Sequence, residues 1–279
     1  MSDAGQPRLK APEGTCDCHA HVFVPSLPAV PGATPRVWAT VDAYRAVQRR
    51  LGLSRAVVVQ PTAYGADNRA TLAGIAALGE TARGVAILTG DVTDAEIARL
   101  DALGIRGARF QMFPGGVVSW DDLGPIAARV AAFGWHVQLQ MDGRLLHERE
   151  AMLGRLPCTL VIDHVGKFLE PVTVGHPGFR AILRLIDAGR CWLKLSAAYE
   201  VSRAGPPFYA DVGALAKAAV RAAPERMVWA SNWPHVSVPG ELPDDAAQLD
   251  VLLDWAPDDA TRRAILVGNP EALYGFARV

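Results

Sequence analysis

Thr159-Leu160-Val161-Ile162-Asp163-His164 is an apolar run that turns polar only at its last two residues. A strand half-covered by solvent alternates, whereas one covered on both faces reads as an unbroken apolar run. This segment therefore predicts a buried strand of a parallel sheet that delivers an acid and an imidazole at its C-terminal end. Working outward, short strand-like runs occupy residues 15–21, 56–60, 84–90, 107–111, 136–140, 192–196 and 227–231, several of them continuous and apolar, as in Ala56-Val57-Val58-Val59. Helical spacing fills the gaps. Asp94 precedes a face of Ile97, Leu100 and Leu103; Asp121 and Asp122 open residues 123–133; Asp244 and Asp245 open a face of Leu249, Leu252, Leu253 and Ala256. Asn269-Pro270-Glu271 reads as an N-cap followed by proline at the first helical position. Eight strand-like runs with helices between them predict an α/β fold of the (β/α)8 TIM barrel type, one domain over residues 1–279 with a polar N-terminal tail at 1–14. An open doubly wound sheet would call for a glycine-rich phosphate loop after an early strand, and none is present. Residues 26–35 are proline-rich and read as an extended loop.

Composition narrows the partners. The chain has 279 residues, is 50% hydrophobic and carries a net charge of -1 with a pI near 6.7. No basic footprint for nucleic acid results. No apolar stretch is long enough to span a bilayer, and no secretory signal opens the chain, so a cytoplasmic protein is expected. The cysteines Cys16, Cys18, Cys158 and Cys191 lack disulfide-framework spacing and read as reduced and structural. Strict alternation makes Cys16 and Cys18 face away from the histidine side of their strand. The sequence does not decide between a monomer and a homo-oligomer.

In such a barrel the active site forms at the C-terminal strand ends. There the sequence gathers His19 and His21 from strand one; Gln60, then Tyr64, from strand two; Arg109 and Gln111 from strand four; Gln138, Gln140 and Asp142 from strand five; and Asp163 and His164 from strand six. Strand seven adds Lys194, Ser196, Tyr199, Glu200 and Arg203, and strand eight Asn232 and His235. His19 and His21 at i, i+2 share one face, where they can hold a divalent metal or contact a polarised carbonyl. Bland readings exist for each: hydrogen-bonded core histidines, a loop-capping His164, an ion-paired Arg109.

Asp17-Cys18-His19-Ala20-His21, Asp163-His164-Val165-Gly166-Lys167, Lys194-Leu195-Ser196 and Val228-Trp229-Ala230-Ser231-Asn232-Trp233-Pro234-His235 together resemble the amidohydrolase superfamily. The resemblance is to its amidohydrolase-2 group, which contains 2-pyrone-4,6-dicarboxylate lactonase, sugar-acid lactonases and galactarolactone isomerase. It runs from about Thr15 nearly to the C-terminus. It implies a metal-dependent-hydrolase-like barrel acting on a small carboxylated lactone, often without a bound metal in this branch. By the same resemblance, His19, His21, His164 and Asn232 are the catalytic positions. Arg109, Arg203, Gln60, Gln138, Tyr64, Tyr199 and His235 are substrate contacts, and Tyr44 is a further phenol. His19 and His21 become metal ligands only if a divalent ion such as zinc is bound; no cofactor is the first expectation.

The sequence departs from the family's hydrolases at strand eight. They generally carry Asp as metal ligand and water-activating base, whereas this chain has Asn232. An amide is neither a useful base nor a good zinc ligand. Hydrolysis with His164 or His21 activating water is the first reading. Isomerisation, in which a substrate hydroxyl attacks its own carbonyl, is the alternative and needs no activated water. A barrel that only binds lactones is the non-enzymatic one.

Overall fold

The computed structural model describes residues 5–279; residues 1–4 of the N-terminal tail lie outside them. Eight parallel strands pair in chain order: β1 (Cys16–Ala20), β2 (Arg55–Val59), β3 (Ala82–Ala86), β4 (Ile105–Gln111), β5 (His136–Gln140), β6 (Leu160–Ile162), β7 (Cys191–Leu195) and β8 (Met227–Trp229). The ring closes just beyond the last strand, where the His21 N–H donates to the Trp233 carbonyl at 2.8 Å and the Asn232 N–H to the His19 carbonyl at 3.0 Å. Asp17 clamps this seam. Its carboxylate accepts from the Ser231 N–H at 2.9 Å, the Ser231 hydroxyl at 2.5 Å and the Tyr44 phenol at 2.9 Å.

Helices follow the strands: α1 (Val41–Leu51), α2 (Arg69–Leu78), α3 (Asp94–Ala102), α4 (Trp120–Ala131), the short α5 (Glu150–Leu153), α6 (Pro177–Asp187), α7 (Ala210–Ala222), α8 (Asp245–Asp250), α9 (Leu252–Trp255), α10 (Asp259–Arg263) and α11 (Asn269–Tyr274). The acidic starts are real with small shifts. Thr93, one residue before Asp94, accepts from the Glu96 N–H, and Asp122 reaches back to the Ser119 N–H at 2.8 Å. Asn269 departs from its expected capping role. It continues a helical path out of a π-turn over Ala264–Gly268 and donates to the Pro224 and Met227 carbonyls at 2.8 and 2.7 Å. The wider turn just before Pro270 suits a residue that brings no N–H to the helix.

Outward side chains of the strands and the inner helix faces make one large apolar cluster. A smaller one fills the barrel interior with Val57, Val59, Val85, Val161, Trp192 and Val228, and Tyr274 and Phe276 join it. Cys16 and Cys18 belong to this interior cluster, so they share the imidazole side rather than facing away from it. The register explains the correction. Asp17 pairs with Ala56 but Ala20 with Val58, three residues on β1 against two on β2. A bulge inserts one residue and shifts the phase of alternation. From Pro7 on, the N-terminal segment packs against the barrel's outer shell. Pro7 and Leu9 are buried, and Asp250 accepts from the Arg8 and Leu9 N–H groups at 3.1 and 2.8 Å. Among the described residues no helix is long and apolar enough to cross a membrane.

Candidate active site

The C-terminal strand ends open into a cavity of about 480 Å³. Its polar lining includes His21, Arg109, Gln111, Gln140, His164, Lys167, Glu200, Asn232 and Ser237, and the loop from Val30 to Thr34 forms an outer wall. The turn after β6 brings in two of these groups. His164, Val165, Gly166 and Lys167 all have positive φ, at 55°, 52°, 86° and 44°. Left-handed backbone costs a β-branched or long residue on the order of 1 kcal/mol, and such outliers gather at functional sites. Here the path turns His164 and Lys167 toward one space.

His164 bonds through Nδ1 to the Ser196 hydroxyl at 2.8 Å, and burial pushes its pKa down to about 4 against the pull of Asp163 and Glu200. It is a neutral imidazole at neutral pH, one nitrogen fixed. Arg109 is braced by the Gln60 carbonyl at 2.5 Å and the Gln140 amide oxygen at 3.2 Å, while its buried Nε–H has no partner. Of five guanidinium N–H donors, these two bonds leave a fork for a ligand. Lys167 pairs with Glu200 at 2.5 Å. Burial alone would raise the Glu200 pKa; His164 and Lys167 outweigh it and hold it below the usual range. The Asn232 amide nitrogen donates to the Tyr199 phenol at 2.8 Å and to Glu200 at 3.1 Å. A carboxylate accepts only, so this fixes the amide's orientation and leaves Oδ1 as its acceptor.

His19 and His21 do something other than touch a carbonyl. The His21 Nδ1 lies 2.8 Å from the Val59 carbonyl, so it carries the proton. Burial and Arg109 push the His21 pKa to about 3, so its Nε2 is bare and accepts from the His19 Nε2–H at 3.3 Å. The bare His19 Nδ1 then accepts from the Lys194 ammonium at 3.3 Å. Both polar edges of each ring are committed. The His21 ring is wall to the cavity; His19 lies beneath it and does not line it.

Eight expected site residues thus do not line the cavity. Besides His19, Gln138 sits below, donating to Asp163 at 2.9 Å, and Gln60 turns outward to Thr71 at 2.6 Å. Tyr64 is tied to the Val24 backbone, and Tyr199 and His235 bond each other at 2.8 Å behind Asn232. Arg203 is exposed, its N–H donating to Asp211. Tyr44 serves the Asp17 clamp. Lys167 and Ser237 line the cavity without having been singled out; Lys167 stood in the Asp163–Lys167 motif, while Ser237 lies beyond every motif.

A divalent metal finds a poor fit. Among the described residues, the one group of three ligating side chains close enough is His19, Asp163 and His164. The Lys194 ammonium lies 3.3 Å from both the His19 Nδ1 and the Asp163 Oδ1, so a cation already stands against two of the three. Asn232, with its amide nitrogen turned inward, adds no acid.

The sequence is 38% identical to D-galactarolactone isomerase of Agrobacterium fabrum, covering 98% of this chain and 95% of that one. It is 34% identical to 2-pyrone-4,6-dicarboxylate hydrolase of Comamonas testosteroni, over 98% and 94% of the two chains. A crystal structure of an apo protein from Agrobacterium tumefaciens superposes with a TM-score of 0.94 at 38% identity, covering 99% of each chain. The amidohydrolase family model matches residues 16–276, and the chain belongs to that family of enzymes.

Proposed function

We propose that the protein transfers the acyl group of a carboxylated lactone's ring ester, with His164 moving the proton, Arg109 holding the carboxylate and Lys167 facing the oxyanion. The observation that carries this reading is the convergence of those three groups on one cavity beside an amide, Asn232, where a water-activating acid would stand. A guanidinium fork matches a carboxylate bidentately, whereas an ammonium is a compact point charge. Arg109 therefore suits the permanent anion and Lys167 the charge that develops on the carbonyl oxygen, a role worth a few kcal/mol per donor. Neutral His164 takes the proton of the attacking hydroxyl and returns it to the leaving ring oxygen; Asp163 and Glu200 stabilise the imidazolium in between.

Two acceptors can complete the transfer. A hydroxyl of the substrate fits best, giving a lactone isomer, because position 232 presents an amide rather than an acid to a water, and the one carboxylate lining the cavity, Glu200, is paired with Lys167. Intramolecular attack gains from high effective molarity. The 38% identity to the isomerase supports this reading. Hydrolysis is the second reading, supported by the basic face of His164 toward the open cavity and by the 34% identical hydrolase. The charges lining the cavity, Arg109 and Lys167 against Glu200 with neutral imidazoles, sum to +1, which favours a substrate with one free carboxylate. Gln111, Gln140, Asn232 and Ser237 offer neutral contacts suited to hydroxyls. Proton NMR on a panel of sugar-acid and pyrone lactones tests the reaction. A new lactone signal without free acid identifies isomerisation, free acid alone identifies hydrolysis, and binding without either sinks both. Four buried cysteines without disulfides favour the cytoplasm as its compartment.

A further inference from the structure

We infer that the Lys194 ammonium plugs a latent metal site whose ligands, His19, Asp163 and His164, the chain still carries, so that removing this one side chain turns the protein into a divalent-metal binder. Each of the three offers a ligand atom within 4.8 Å of the others, and all are buried. Asp163 Oδ2 accepts from Gln138 at 2.9 Å, but Oδ1 has no hydrogen bond; the ammonium at 3.3 Å and the His19 Nδ1 at 3.5 Å are its polar neighbours. The His19 Nδ1 offers a bare lone pair to the same nitrogen at 3.3 Å. The third Lys194 contact is the Gln138 amide oxygen at 2.7 Å. An ammonium surrounded by a carboxylate oxygen, an imidazole nitrogen and an amide oxygen has the kind of donor set a hard or borderline cation takes.

Lys194 reaches this place from β7, inside the barrel and fully buried. It balances the charge of Asp163 without needing an ion from solution. It also orders the chain of donors above it, from Lys194 to His19, His21 and the Val59 carbonyl. A dication entering beside the ammonium would meet like charge, and one replacing it would find three ligands already close.

The test compares metal-free wild type with Lys194→Ala by calorimetric titration with zinc chloride and by melting temperature with and without zinc. Lys194→Ala is expected to bind one zinc at least 100-fold more tightly than wild type and to melt higher with zinc. Lys194→Ala/Asp163→Asn is expected to lose that binding. Equal tight zinc binding by wild type, no binding by a folded Lys194→Ala, or unchanged binding by the double variant overturns the inference. Should Lys194→Ala fail to fold, nitrogen-15 NMR of the wild-type histidines decides: the inference needs the His19 proton on Nε2 with Nδ1 bare, and a proton on Nδ1 overturns it.

Discussion

Asn232 shows how one side chain redirects a site. Its amide N–H donors stand where a carboxylate would face Glu200, which is 3.1 Å away. Asn232→Asp therefore does not restore a hydrolase. It sets two acids against each other and raises the pKa of one. The expected result is a fall in kcat/KM of about 10- to 100-fold, or ~1.4 to 2.7 kcal/mol of transition-state stabilisation; a rise in free acid production would instead mark position 232 as the missing base. Arg109→Lys keeps the charge but loses the fork, so KM should rise about 10-fold or more while kcat changes little. An equal drop in kcat alone would take Arg109 out of substrate binding. His164 sets the pH dependence. With its pKa held near 4 by burial, it is protonated and inactive as a base only below that value. The acid limb of kcat/KM in the free enzyme should fall as pH drops through about 4, and a limb between 6 and 7 would assign the base to another group.

At the scale of elements, the turn after β6 depends on glycines that let three segments touch. A Cβ on Gly178, at the start of α6, would run into the Gly143 carbonyl oxygen, and one on Gly166 would sit 2.7 Å from the Ile182 side chain. Backbone against backbone cannot give way locally. Gly178→Ala should cost about 1–3 kcal/mol by overpacking and lower turnover by displacing His164 and Lys167, read from denaturant unfolding and kcat together. Full activity with native stability would show that the turn is held some other way. This turn also marks where sequence reading stops. The strands were legible because both faces are covered, which makes their apolar runs continuous and their polar ends conspicuous. His164, Arg109 and Asn232 were found through that placement. The bulge in β1 was not legible, since one inserted residue leaves composition unchanged while turning Cys18 and the imidazoles to one side. Nor was the left-handed path through Val165 and Lys167, residue types that favour other backbone. The outward turn of Gln60 and the retreat of Tyr199 and His235 depend on partners from other elements, which spacing along one strand does not reveal.

For the whole molecule, the barrel stores several histidines in their neutral form, and this sets its acid tolerance. Burial, with the added repulsion of nearby cations, holds His21 and His136 at about 3 and His164 at about 4; burial and Lys194 also hold His19 well below its ordinary value. In the unfolded chain each returns to about 6.5. Between these values the unfolded state binds protons that the native state refuses, so stability is full above about pH 6.5 and is lost as pH falls toward the native values. Each fully protonating histidine contributes about 1.4 kcal/mol per pH unit in that window, so the three with the values above give a slope of ~4 kcal/mol per unit near pH 5. The carboxylates act lower. Lys194 outweighs burial to keep Asp163 well below its ordinary pKa, and Glu200 is also held low, so their loss begins only near or below pH 4. Acid unfolding should therefore start about two units earlier than a carboxylate-driven transition. Urea midpoints should be level from pH 7 to 8 and fall steeply between 6 and 4; a midpoint unchanged down to pH 5 would mean that these imidazoles accept protons inside the folded barrel.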